Sequence, residues 1–156
     1  MMTRTAVVDA YVRKETRISM AINAMLSLLI FLAVFGLQRP VESWGVGRWV
    51  FDFLPQSFMI SLMSVLIPGV LVRQKLKNGA LAPVPHRSIL PRSLLARALV
   101  LAGASAGIGT ASVAGLVWLM GMEMIAPIPA LLFKVSYGAI LALIVTPPAL
   151  RAALAA

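Results

Sequence analysis

Four apolar runs, each long enough to cross a bilayer, restrict this chain more than any other feature in it. They cover residues 18–37, 53–72, 94–120 and 130–150. A helix rises about 1.5 Å per residue, so about 20 apolar residues match a hydrocarbon core of ~30 Å. The runs are continuously apolar and do not alternate in polarity, which selects helices over the strands of a membrane barrel. The predicted fold is all-α: a polytopic membrane protein in which a four-transmembrane-helix bundle makes a single domain over residues 1–156. Only 12% of the residues are charged and mean hydropathy is +0.94. Soluble domains carry about 25% charged residues, so the apolar excess is too large for a water-facing surface. With no cysteine in the chain, disulfides and thiolate chemistry are excluded.

The basic residues set the direction of insertion. Arg4, Arg13, Lys14, Arg17, Arg73, Lys75, Lys77, Arg87, Arg92, Arg97 and Arg151 fall on one side of the runs; Arg39 and Arg48 fall on the other; Lys134 lies within the fourth. The positive-inside rule then puts both termini and the basic 73–93 loop on the cytoplasmic side of the cell membrane. The formal net charge of +9 sits beside apolar spans. It is therefore explained by topology and by contact with anionic lipid head groups, and no nucleic-acid partner is expected. Residues 1–17 read as an interfacial helix leading into the first span, with Asp9 and Arg13 paired one turn apart. The apolar run after it, at about 20 residues, exceeds the 7–15 of a secretory signal core.

Local punctuation places the ends. Gln38, Arg39 and Pro40 close the first span, and Trp44 and Trp49 suggest an aromatic belt at the membrane surface. Asp52 is placed to cap the second helix with Pro55 in its first turn. Pro68 and Gly69 should loosen the end of that helix, and Pro147-Pro148 should stop the fourth.

The third run is unusually small. Gly103, Gly107, Ala111 and Gly115 recur every four residues, with a second row at Ala102, Ala106, Thr110 and Ala114. Such rows make a groove that another backbone can approach closely. The chain also reads as two tandem two-helix repeats in parallel orientation. An offset of 80 pairs Arg17 with Arg97, Phe53 with Phe133, Ile60 with Ile140, Val65 with Val145 and Pro68 with Pro148. The same offset sets Asn23, Ser27, Phe31 and Phe35 against the first small row. The expected contact is therefore between the first and third helices, with Phe31 and Phe35 as knobs in an internal groove.

Few residues carry chemistry. Lys134 either snorkels to the surface or forms a charge site with Asp52 or Glu123. Asn23 and Ser27 share one helix face, as do Ser57, Ser61 and Ser64. Both faces suit interhelical hydrogen bonds or a polar path. Gln56 is expected to face water near the surface. His86 is the single histidine and sits in the basic loop, so no metal site is expected. No nucleophile elbow, His-Glu metal motif, phosphate loop or pair of carboxylates within a span is present, and no enzyme activity or cofactor is expected. Two readings follow. One is a non-catalytic, helix-packing subunit that associates with itself or with another membrane protein; the other is a small oligomeric transporter or channel with its polar path in the first two spans.

Overall fold

The computed structural model describes residues 4–85 and 88–155, with the side chains of Arg4 and Thr5 left aside. His86 and Arg87 of the basic loop lie outside the described residues. In chain order the elements are α1 (Arg4–Val34), β1 (Val41–Glu42), α2 (Phe53–Lys77), α3 (Leu94–Leu119), β2 (Met124–Ile125) and α4 (Pro127–Leu154). All four helices are long and apolar enough to cross a membrane, so the protein is a multi-pass membrane protein of four packed helices.

Several boundaries differ from the sequence expectation, each for a local reason. Residues 4–17 are helical and run without a break into the first span as the opening turns of α1, with Asp9 paired to Arg151 of α4 and not to Arg13. Val12 is buried there with Val72, Leu150, Ala153 and Leu154, so these turns pack against the ends of α2 and α4. At its other end α1 stops at Val34, short of residue 37, because Gly36 turns into the left-handed region at φ +67°. The amides of Phe35 and Gly36 both donate to the Phe31 carbonyl, at 2.8 and 3.3 Å, which closes the helix. Neither Pro68 nor Pro147-Pro148 ends its helix: α2 runs on to Lys77 and α4 to Leu154. Burial of Ala149, Leu150, Ala153 and Leu154 beyond the prolines holds α4 together where two backbone donors are missing.

The helices form a row. α1 packs along α4, α4 along α2, and α2 along α3, while the backbones of α1 and α2, and of α3 and α4, come close at few points; α1 and α2 meet through polar side chains. Exchanging the two halves of the chain leaves this pattern unchanged, as a parallel repeat requires. The connectors obey the same symmetry, since β1 pairs antiparallel with β2, Val41 opposite Ile125 and Glu42 opposite Met124. Along the central α2–α4 seam, residues 80 apart meet each other. The rings of Phe53 and Phe133 are 5.9 Å apart, and Ser57 and Tyr137 share a hydrogen bond of 2.5 Å.

The strand end of the bundle holds a cluster of Phe31, Val41, Trp49, Val50, Phe53, Val113, Val117, Ile125 and Ala130. Trp49 is therefore a core residue, edge-on to Phe53 at 4.8 Å, and does not join a surface belt; Trp44 and Trp118 are the exposed tryptophans. At the opposite, terminal end, Arg97 is 2% exposed. Its guanidinium donates from Nε to the Pro91 carbonyl at 3.1 Å and from Nη1 to the Ala149 carbonyl at 3.3 Å. The start of α3, the preceding loop and α4 are tied together by this one side chain.

Candidate functional site

Three helices contribute polar side chains to one buried column. On α1 the residues are Ser19, Asn23 and Ser27; on α2 they are Asp52 at the helix start, Gln56, Ser57, Ser61 and Ser64; on α4 they are Lys134, Tyr137 and Thr146. On α1 the spacing is four, which keeps the set on one face; on α4 Lys134 and Thr146 lie along the buried row that includes Gly138 and Ala142, while Tyr137 projects from the adjoining face toward Ser57. On α2 the column runs twelve residues from Asp52 to Ser64, about 18 Å of helix.

At the strand end the column begins with an ion pair between the Lys134 ammonium and the Asp52 carboxylate. Lys134 does not snorkel. Its residue is 1% exposed, and its Nζ also lies over the rings of Phe53 and Phe35, at 4.9 and 5.4 Å from their centroids. Asp52 occupies the cap position of α2 but makes no capping bond with its side chain, because the carboxylate is turned to Lys134. Glu123 is not part of the pair. It is exposed, and its backbone carbonyl accepts from Ser43 at 2.9 Å beside the strand pairing.

One turn deeper, the Gln56 amide donates to Ser27 Oγ at 3.0 Å and to the Lys134 carbonyl at 3.4 Å. Gln56 thus faces the bundle, not water. Its Oε1 is buried without a partner, next to a cavity of about 150 Å³ lined by Ser27, Ile30, Asp52, Pro55, Gln56, Met59 and Lys134. On the other side of α2, Ser57 is bonded to Tyr137. Ser61 follows, fully buried, with its Oγ unpartnered.

The column closes in a four-residue knot. Asn23 Nδ2 donates to the Ser19 carbonyl at 2.8 Å and to Ser64 Oγ at 3.1 Å. Ser19 Oγ lies 3.0 Å from Ser64 Oγ and accepts from Thr146 Oγ1 at 3.2 Å. All four residues are buried and α1, α2 and α4 each supply at least one. Among the described residues, no three His, Asp or Glu side chains come together as metal ligands would.

The chain matches no family model, no curated protein and no solved structure. The geometry is therefore the ground for any reading of function.

The column gathers Asn23, Ser27, Ser57, Ser61, Ser64, Asp52 and Lys134, draws in Gln56, which was expected to face water, and adds Ser19, Tyr137 and Thr146, which sequence reasoning did not single out. A signal for Thr146 is present. Lys134, Gly138, Ala142 and Thr146 recur every four residues along α4 and all are buried. Gly138 is the close-approach point: a Cβ there would run into Ser27 Oγ and come within 3.3 Å of the Asn23 carbonyl.

The small row expected to be internal is not. Gly103, Gly107 and Ala111 are exposed, Gly115 is half-buried, and a Cβ on any of the three glycines would meet nothing within 4 Å. The face of α3 that packs on α2 is the neighbouring one, with Ala98, Ala102, Ala106 and Val113. Phe31 and Phe35 are not knobs in the Gly103–Gly115 row. They pair with each other at 5.3 Å, and Phe31 is fully buried in the strand-end cluster. One residue of offset between α1 and α3, about 100° of helix rotation, separates the two arrangements.

Proposed function

We propose that the protein is a non-catalytic packing subunit of a membrane assembly, lying in the cell membrane with both termini on the cytoplasmic side. The observation that carries this reading is the outward small row. Three glycines and an alanine form a smooth strip on α3 that the bundle itself leaves uncovered. Strips of this kind let a second transmembrane helix approach closely enough for backbone contact. The column inside supports the same reading, because most of its polar groups are spent on one another and so hold three helices together. Orientation rests on the basic residues gathered at the terminal end, and anionic lipid head groups at that face are natural partners.

The test is to extract wild-type and Gly107→Leu proteins from native membrane in mild detergent. The reading expects a stable complex, with a second copy or another membrane protein, that Gly107→Leu loses while its thermal unfolding is unchanged. A wild-type protein that is monomeric and alone at every detergent concentration would contradict it.

A second reading is favoured by one specific feature, the Lys134–Asp52 pair with the unpartnered Gln56 oxygen beside a small cavity. Ionisable residues within a membrane segment often mark a transport path. Here the protein would be a small oligomeric transporter, and Lys134→Met would abolish flux into liposomes. Equal flux in wild-type, variant and empty liposomes would remove this alternative.

A further inference from the structure

At the terminal end, α1 and α4 line an open cleft of about 500 Å³ between them. This is within the range of about 300–1,000 Å³ that small-molecule sites occupy. Its upper wall is basic: Arg13 and Arg17 come from α1 and Arg151 from α4. All three are exposed, and one acidic residue, Asp9, faces them with Oδ1 3.5 Å from Arg151 Nη2. Its floor is apolar, formed by Met20, Leu143 and Pro147.

The order of these groups along the helix axis matters. Met20 lies one turn deeper than Arg17, and Pro147 and Leu143 lie one and two turns deeper than Arg151, about 6 and 12 Å. The Ser19–Thr146 hydrogen bond sets the register of this antiparallel pair: Arg13 and Arg151 lie at the end of the bundle, Arg17 is about level with Pro147, and Met20 and Leu143 lie deeper, along a helix pair that crosses the membrane. A ligand that fits both levels has an anionic head and a hydrocarbon tail. Arginine is the side chain best suited to the head, because its planar fork offers two parallel donors to phosphate oxygens. With one carboxylate against three guanidiniums, the site keeps positive charge in excess for a phosphodiester.

We propose that this cleft is a specific binding site for one anionic phospholipid, held by Arg13, Arg17 and Arg151 at the phosphate and by Met20, Leu143 and Pro147 along an acyl chain. The inference is independent of whether the protein is a packing subunit or a transporter. It differs from general attraction of basic loops to a charged surface, because it assigns three arginines out of fourteen basic residues.

Native mass spectrometry of the full-length protein, loaded with phosphatidylglycerol or phosphatidylcholine, tests it. Phosphatidylglycerol should survive activation that strips phosphatidylcholine. Replacing Arg13, Arg17 and Arg151 together with Gln should lower its retention by about tenfold or more, the scale of one lost charge-assisted contact. The matched control, Lys14→Gln, Lys77→Gln and Arg92→Gln together, removes three charges outside the cleft and should leave retention unchanged. Two single variants keep the test open if the triple variant does not fold. Asp9→Asn frees Arg151 and should raise retention; Leu143→Trp fills the apolar floor and should lower it with every arginine in place. Inorganic phosphate in large excess should not displace the lipid. Retention equal in the wild type and the triple variant would overturn the proposal. So would Asp9→Asn and Leu143→Trp both without effect, or complete displacement of the lipid by phosphate alone.

Discussion

The first and third helices occupy corresponding places in the two halves, yet they hold their neighbours by different means. α1 presents Ser19, Asn23 and Ser27 to α4 and α2, and these side chains are bonded across the interface. α3 presents Ala98, Ala102 and Ala106 to α2, with the same spacing of four. One row works through hydrogen bonds between three helices. The other works through closeness, since alanine adds little between two backbones. The difference shows where each half is free to do something else. A polar row must stay inside, because an unmet polar group in hydrocarbon is costly. An alanine row asks nothing of the other faces of its helix, and on α3 the next face, with Gly103, Gly107 and Ala111, is small and turned outward.

Breaking the polar side should have the largest effects. Asp52→Ala leaves the Lys134 ammonium buried with no carboxylate, and should destabilise the bundle by about 3–5 kcal/mol. Replacing both partners, Asp52→Leu with Lys134→Met, should recover most of that loss, because no charge is then left uncompensated. Chemical denaturation in detergent micelles measures both; a double variant no better than the single would show that the pair contributes more than mutual neutralisation. Next in size is Gly138→Leu, which forces a side chain against Ser27 and the Asn23 carbonyl. Overpacking of this kind costs about 1–3 kcal/mol. Gly107→Leu, on the open face of α3, should stay within about 0.5 kcal/mol of wild type in the isolated protein. Equal loss in the two glycine variants would erase the distinction between an inner and an outer row.

Smaller effects sharpen the comparison. Asn23→Leu removes the donor at the centre of the knot and should cost about 0.6–2 kcal/mol, as interhelical bonds in membranes do. Tyr137→Phe removes one partner of Ser57 and should cost less, about 0.5–1 kcal/mol, since serine can turn to its own helix backbone. Both are read by thermal unfolding of the purified chain. An Asn23→Leu variant as stable as wild type would mean that the Asn23 bonds add nothing to the hold of α2 on α1.

Much of this was legible in the sequence. The four spans follow from apolar run length, and the polar faces of α1 and α2 follow from helical spacing. What could not be read was rotation. Rows 102/106 and 103/107 on α3 are both small, and composition gives no reason to bury one over the other; the partner face on α2 decides. For Lys134 the sequence left open whether it snorkels or pairs with Asp52 or Glu123, and Asp52 read equally as a cap. Their pairing depends on α4 lying beside α2, which is a tertiary fact. Gln56 was obscured for the same reason, since a residue near a span end is ordinarily free to meet water; Tyr137, well inside the fourth span, shows its partner Ser57 only once α4 lies beside α2. The prolines of α2 and α4 misled because their cost is local, whereas the burial that offsets it comes from other helices.

The claim that the open face of α3 is an assembly surface is tested most directly by photocrosslinking in native membrane. Benzoylphenylalanine at Ala111, in the outward small row, is compared with the same group at Leu29, exposed on α1. A discrete protein adduct from position 111 and none from position 29 is the predicted result. Lipid adducts alone from both positions would contradict it.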